Sequence, residues 1–254
     1  MAKAKRQSTK KTQARHLEES LVMNGLAISE GPRTKSWSQK DLKIVTPLTY
    51  NQEEAFREWF EGQNLCLFGS AGAGKSFLAC FMALDAVLKR HQEKIIIVRS
   101  IVPSRDVGFL PGTRAEKAEP YELPYHDIFH ELMGRKSTYE DMKKAAKVEF
   151  IETSFVRGLT WDNAVIIVDE FQNLTFHEIN SIMTRVGNNS RVIVSGDILQ
   201  TDLSGKGKEI TGAERFLRVI QEMKAFSSIH FTVNDIVRSG FVKSWIMATE
   251  AVPK

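Results

Sequence analysis

Residues 65–80 read LCLFGSAGAGKSFLAC, and this stretch leaves few folds open to the chain. A short apolar run from Leu65 to Phe68 meets a glycine-rich segment, and an apolar, helix-forming run begins at Phe77. Strand, glycine loop and helix in that order belong to α/β proteins built on a parallel sheet. Between the two apolar runs stand Gly69, Ser70, Ala71, Gly72, Ala73, Gly74, Lys75 and Ser76, a full match to GxxxxGK[ST].

The pattern carries a chemistry. Glycines let successive backbone N–H groups curl round phosphate oxygens with no Cβ in the way. A helix opening at Gly74 and Lys75 adds the positive end of its dipole. Lys75 is placed to reach the β- and γ-phosphates of a nucleotide, and the Ser76 hydroxyl to take one position on Mg²⁺. The expected nucleotide-binding segment therefore runs from Gly69 through Phe77.

The rest of the chain repeats the alternation. "KIIIVRS" (94–100), "VEFIE" (148–152), "AVIIVDE" (164–170), "RVIVSGD" (191–197) and "SSIHFTV" (227–233) are apolar runs of the kind buried in a parallel sheet. Helical patterns are expected over 46–61, from the glycine loop to about 90, and over 124–133, 137–147, 176–186, 209–224 and 239–250. Residues 101–124, with Pro103, Gly108, Pro111, Gly112, Pro120 and Pro124, are expected to be irregular. The fold class is α/β: a P-loop NTPase core with a parallel sheet and helices on both faces.

Charge is unevenly spread. Lys3, Lys5, Arg6, Lys10, Lys11 and Arg15 stand in the first 15 residues without an acid, so the overall +4 leaves −2 for residues 16–254. Residues 1–43 read as a basic, disordered leader and 44–254 as one P-loop ATPase domain. The leader suits either contact with an anionic polymer or simple solubilisation. No apolar run approaches the ~20 residues that span a bilayer, and no signal region is seen, so a cytoplasmic protein without a membrane partner is expected. Cys66 and Cys80 fall in the buried strand and helix around the glycine loop, and with no CxxC they indicate neither disulfide nor zinc.

Other residues define the kind of nucleotide site. Ligands bind beyond the carboxyl ends of parallel strands, so Asp169 and Glu170 are expected to face the glycine loop. Asp169 is suited to hold Mg²⁺, and Glu170 to polarise an attacking water, which favours hydrolysis over transfer to a metabolite. Asp202-Leu203-Ser204-Gly205 spells DxxG, but no Asn-Lys-x-Asp follows to read guanine. Adenine is the expected base, and Gln52 can pair with its N6 and N7 edge. Asp197 and Gln200 follow a buried strand and can sense a γ-phosphate. Arg238 can act as an arginine finger, or else only pair with Asp235. His126 and His130 stand four apart with no third ligand, so no metal is read from them.

Taken together these residues resemble the PhoH family of phosphate-starvation-associated ATPases, relatives of the RecA-like core of superfamily-one helicases. The resemblance covers residues 44–250. It rests on the phosphate loop, "GFLPG" and "EKAEPY" (108–121), "SFVRGLTWDNAVIIVDEFQNLT" (154–175), "TRVGNNSRVIVSGDILQTDL" (184–203) and "FTVNDIVRSGFV" (231–242). It implies ATP hydrolysis with Lys75, Ser76, Asp169 and Glu170 in the roles above. It also implies Gln52 at adenine, Gln200 near the γ-phosphate and Arg238 as the finger. Arg157 matches a family position to which chemistry alone assigns no role. Two departures stand out: "SIVPSRDV" (100–107) lacks the family's acidic run, which loosens the transfer to Arg99 and Arg105, and Phe171 replaces the usual Ala beside Glu170. The short chain suits a phage or minimal version of the family.

Three functions follow. The first is an ATPase coupled to single-stranded RNA or DNA, helicase-like, in a homo-oligomeric ring, a hexamer by resemblance. The second is an ATP-dependent switch that recruits a protein partner. The third, a small-molecule kinase, is disfavoured by Glu170 and by the lack of an arginine-rich lid.

Overall fold

The six apolar runs read as strands all become strands of one sheet. The computed structural model describes residues 36–101, 114–197 and 212–251. The strands are β1 (Asn64–Gly69), β2 (Lys94–Arg99), β3 (Val148–Glu152), β4 (Ala164–Asp169), β5 (Arg191–Gly196) and β6 (Phe226–Phe231). All pair in parallel, in the order β3-β2-β4-β5-β1-β6. The helices among the described residues are α1 (Tyr50–Phe60), α2 (Lys75–Leu88), α3 (Arg114–Met133), α4 (Thr138–Lys144), α5 (Phe176–Met183), α6 (Gly212–Gln221) and α7 (Gly240–Ala251).

The period of two along each strand sorts the core into two layers. Leu65, Leu67, Ile95, Ile97, Val165, Ile167 and Ile193 face one side, where they meet Trp59 of α1, Leu84 of α2, Tyr125 and Phe129 of α3 and Tyr139 of α4. Cys66, Ile96, Val98, Ile166, Val168, Val192 and Val194 face the other side, against Ile179 and Ile182 of α5 and Phe216 and Ile220 of α6. Both cysteines are buried and free. All six residues of β4 are buried, and at about 1.5–3 kcal/mol for each large aliphatic side chain this strand anchors the core.

Helix α3 corrects the expectation of an irregular segment up to residue 124. It begins at Arg114 and runs through Pro120 and Pro124. Each proline removes a main-chain donor, at a cost of about 3 kcal/mol in a helix interior. Both prolines are exposed, while Glu122, Tyr125, Phe129 and Leu132 are buried. Glu122 accepts from the Tyr139 hydroxyl at 2.7 Å and from Lys143 at 2.6 Å, which ties α3 to α4. Tertiary burial outweighs the local cost.

The packed unit also starts earlier than residue 44. Trp37 packs against the first core layer, Leu42 is buried, Gln39 Nε2 donates to Asp85 at 2.6 Å, and the Lys43 N–H donates to the Leu132 carbonyl at 2.8 Å. Residues 1–35 of the basic leader lie outside the described residues. No described helix is long and apolar enough to cross a membrane.

Candidate active site

Parallel pairing brings the strand ends that matter to one edge. Arg99 stands opposite Asp169, Asp169 opposite Ser195, and Phe68 opposite Gly196. Beyond this edge lies a cavity of about 710 Å³. Its walls come from the phosphate loop, Gln52 and Leu48 before it, Asp169 and Glu170 at the end of β4, Gly196 and Asp197 at the end of β5, Val237 and Arg238, and one face of α3.

The loop needs its glycines. Gly69 leaves β1 at φ +117°, and a Cβ there would stand 2.0 Å from the Phe231 carbonyl oxygen. Gly72 and Gly74 also hold left-handed backbone, at φ +75° and +82°, and Gly74 starts α2. Buried Lys75 curls under the loop, donating to the carbonyls of Gly69 at 2.7 Å and Ser70 at 2.8 Å. Its ammonium is thus held on the carbonyls of the loop itself. Ala73 is fully buried, Ser70 nearly so, and Phe77 lines the cavity at the first turn of α2.

Asp169 collects the donors. Its Oδ1 accepts from Ser76 Oγ at 3.1 Å, Ser195 Oγ at 2.6 Å and the Glu170 N–H at 3.1 Å, and its Oδ2 accepts from the Tyr125 hydroxyl at 2.8 Å. Ser76 and Asp169 together present hydroxyl and carboxylate oxygens, the hard donors that Mg²⁺ takes. Burial, and after it the charge of Asp169, hold the Tyr125 hydroxyl well above its usual pKa, so it stays a donor.

Glu170 turns away from the strand in left-handed backbone, at φ +54°, a conformation that costs a non-glycine residue on the order of 1 kcal/mol. That turn carries its side chain toward the cavity. Gln172 Nε2 donates to Glu170 Oε2 while Gln172 Oε1 accepts from the Asp197 N–H at 3.0 Å, so one buried amide spans the ends of β4 and β5. Arg99 lies 3.9 Å from Glu170 Oε1. Burial, then the neighbouring Asp169 charge, raise the Glu170 pKa above the usual glutamate value, against the pull of Gln172, Arg99 and Lys75.

Gln52 closes the other end. Its Oε1 accepts from the Leu48 N–H at 2.8 Å and its Nε2 donates to the Ala73 carbonyl at 3.0 Å, which pins the chain before α1 to the phosphate loop. An amide has two donor hydrogens and two acceptor lone pairs, so these bonds use one of each, and Gln52 lines the cavity. Arg238 also lies against its own loop: the Val237 N–H donates to the Gly72 carbonyl at 3.1 Å, and Arg238 Cγ is 3.0 Å from where a Gly72 Cβ would stand. Asp235 is taken by Asn51 at 2.7 Å and by Thr232 at 2.8 Å, and among the described residues it makes no ion pair with Arg238. Gln200, Arg105 and the DxxG at 202–205 lie outside the described residues. His126 stacks on Tyr139 with ring centres 4.2 Å apart, a packing role.

Residues 44–250 match the family model for PhoH-like proteins. The chain belongs to that family. PhoH-like proteins of Bacillus subtilis (strain 168) and of Synechocystis sp. are 35% and 31% identical to it over 217 and 209 residues, 85% and 82% of this chain and 66% and 63% of theirs. Protein PhoH of Escherichia coli (strain K12) is 34% identical over 182 residues, 71% of this chain and 51% of its own length. The chain thus spans about half to two thirds of the length of these curated relatives. Among solved structures, the large terminase of a thermophilic bacteriophage aligns at a TM-score of 0.48 with 13% identity, over 79% of this chain and 50% of that one. The Pif1 helicase of Candida albicans aligns at 0.40 with 19% identity, over 75% and 40%. Likenesses this distant carry no argument about activity.

In this PhoH-like P-loop core, four contributors to the site were not marked by the sequence: Tyr125, Ser195, Gln172 and the α3 face with Asp127 and Glu131. Ser195 had a signal, since it immediately precedes Gly196 and Asp197 in a strand of the sheet. Tyr125 had none, because an aromatic residue on a helix face reads as core.

Proposed function

We propose that the chain binds ATP with Mg²⁺ and hydrolyses it by attack of water, in a cycle coupled to single-stranded RNA or DNA. The observation that carries the reading is the meeting of Ser76 and Asp169 at 3.1 Å, with Glu170 on the next residue turned into the same cavity. Bound at Ser76 and Asp169, Mg²⁺ would supply charge neutralisation between the β- and γ-phosphates. Lys75, now on loop carbonyls, would move its ammonium onto the β- and γ-oxygens. Glu170, kept in place by Gln172 and Arg99, would accept the proton of the attacking water. Gln172 also fixes the backbone of Asp197, which leads toward Gln200 and its expected place near the γ-phosphate. Arg238 would meet the charge that develops there, and Gln52 would offer its free donor and acceptor to adenine.

Arg238 lines the cavity beside the phosphate loop of its own chain, which supports its use within the chain, and a neighbouring chain's Arg238 is the alternative. A homo-oligomeric ring, hexameric by family resemblance, would serve movement along nucleic acid. The coupling to nucleic acid is supported by the exposed segment after β3, where Arg157 stands beside exposed Phe155 and Leu159 and contacts His177 at 3.1 Å. A basic group beside exposed aromatic and aliphatic surface suits a single strand.

The second reading, an ATP-dependent switch that recruits a protein, is favoured by α7. This helix exposes Phe241 (80%) and Trp245 (64%) four residues apart, just beyond Arg238. Steady-state ATP hydrolysis with and without single-stranded RNA, using Lys75→Ala as the blank, separates the two. Stimulation by RNA supports the coupled ATPase. Hydrolysis indifferent to RNA and DNA supports the switch, and no hydrolysis above the blank rejects both.

A further inference from the structure

We infer that Tyr125 is a positioning residue for Asp169, and that its hydroxyl sets how firmly the site holds Mg²⁺ together with the nucleotide. The inference rests on the proposed role of Asp169 as a metal ligand.

A carboxylate at a strand end has two equivalent oxygens and a soft terminal torsion, so its plane is not fixed by its own backbone. Here the donors make the oxygens different. Ser76, Ser195 and the Glu170 N–H all address Oδ1. Tyr125 addresses Oδ2 at 2.8 Å, and among the described residues no other donor reaches that oxygen. The torsion is thereby pinned from both sides, with Oδ1 held toward the Ser76 hydroxyl. Tyr125 comes from α3, outside both the phosphate loop and the β4 acids, and its ring is locked into the core at 1% exposure beside Phe150.

A buried phenol needs a partner for its O–H. Tyr139, on the neighbouring helix, finds one at Glu122, away from the cavity. Tyr125 finds one on the acid that the nucleotide site requires. The two tyrosines share a core layer and a buried bond to a carboxylate, and they differ in which carboxylate they hold.

Tyr125→Phe keeps the ring and removes one oxygen. Oδ2 then loses its donor, the carboxylate is free to turn, and the geometry toward Mg²⁺ relaxes. The measurement is the Mg²⁺ concentration that half-saturates binding of a fluorescently labelled ATP to the full chain, with the affinity in EDTA as baseline. Tyr125→Phe should raise the Mg²⁺ midpoint about tenfold, the size expected for one hydrogen bond to a charged group, with the EDTA affinity unchanged. Tyr139→Phe should match the wild type. A midpoint within twofold of wild type for Tyr125→Phe, beside a clear shift for Asp169→Asn, overturns the inference and leaves the metal site standing. Equal shifts for both tyrosine variants, or a parallel loss of affinity in EDTA, overturn it as well, by making the effect one of core packing. If Asp169→Asn shifts nothing, the metal reading fails and the role of Tyr125 falls with it.

Discussion

The Ser76 hydroxyl donates to Asp169 at 3.1 Å, joining residues 93 apart in the chain across the carboxyl end of the sheet. Strand β5 lies between β1, which leads to Ser76, and β4, which ends in Asp169, so the contact forms only when all three are in register. Ser76→Ala removes the hydroxyl and leaves the helix start intact, because the cap is Gly74. Turnover should fall about tenfold or more at fixed Mg²⁺, from loss of a bond to a charged group. Part of the loss should return at higher Mg²⁺. Initial rates across a Mg²⁺ series check this, and a rate equal to wild type throughout would remove Ser76 from the metal site.

Glu170→Gln keeps the size and the left-handed turn but cannot accept a proton. Nucleotide binding should persist while turnover drops by about 10²–10⁴, the usual contribution of a general base. Equilibrium binding of labelled ATP, set beside phosphate release, reads both quantities on one preparation. Undiminished turnover would take the base role from Glu170.

The same variant has an opposite effect on stability. Burial and the adjacent Asp169 raise the pKa of Glu170 in the folded chain. A carboxyl whose folded pKa is raised favours folding fully below its unfolded pKa and loses that contribution as pH rises through the folded value. At pH 7–8 the charged Glu170 therefore weighs against the fold, and Glu170→Gln should melt above the wild type. The gain should shrink as pH falls toward the ordinary glutamate pKa near 4.3. Melting curves over that range check the sign, and a gain independent of pH would trace it to something other than this charge.

Much of the molecule was legible because its signals are local. An apolar run such as AVIIVD is a buried strand in nearly any α/β context, and GSAGAGKS dictates a loop by its glycines alone. Asp169 and Glu170 could be placed at the site because parallel strands all present their carboxyl ends to one edge. What escaped depends on partners distant in sequence. Tyr125 becomes part of the site only when α3 lies against β4, and Ser195 only when β5 pairs with β4 in the observed register. The course of α3 through two prolines was hidden for the same reason, since local propensity argues against it and burial of Tyr125 and Phe129 decides it. Gln172 belongs with them, because its amide ties Glu170 to the backbone of Asp197, 25 residues on.

Arg238 supplies the last test. Its backbone neighbour Val237 is bonded to Gly72 at 3.1 Å, and its own Cγ lies against that glycine, so the residue stands beside the phosphate loop of its own chain. Arg238→Ala should lower turnover by about 10³ or more, the lower end of what an arginine finger contributes, with nucleotide affinity little changed. Mixing Arg238→Ala with Glu170→Gln then asks whose arginine is used. If each chain uses its own, every site in the mixture lacks either its base or its finger, and activity stays at the sum of the two separate proteins. Recovery well above that sum would mean that a neighbouring chain lends the guanidinium, and the contact with Gly72 would then be a resting position of Arg238 and not its working one.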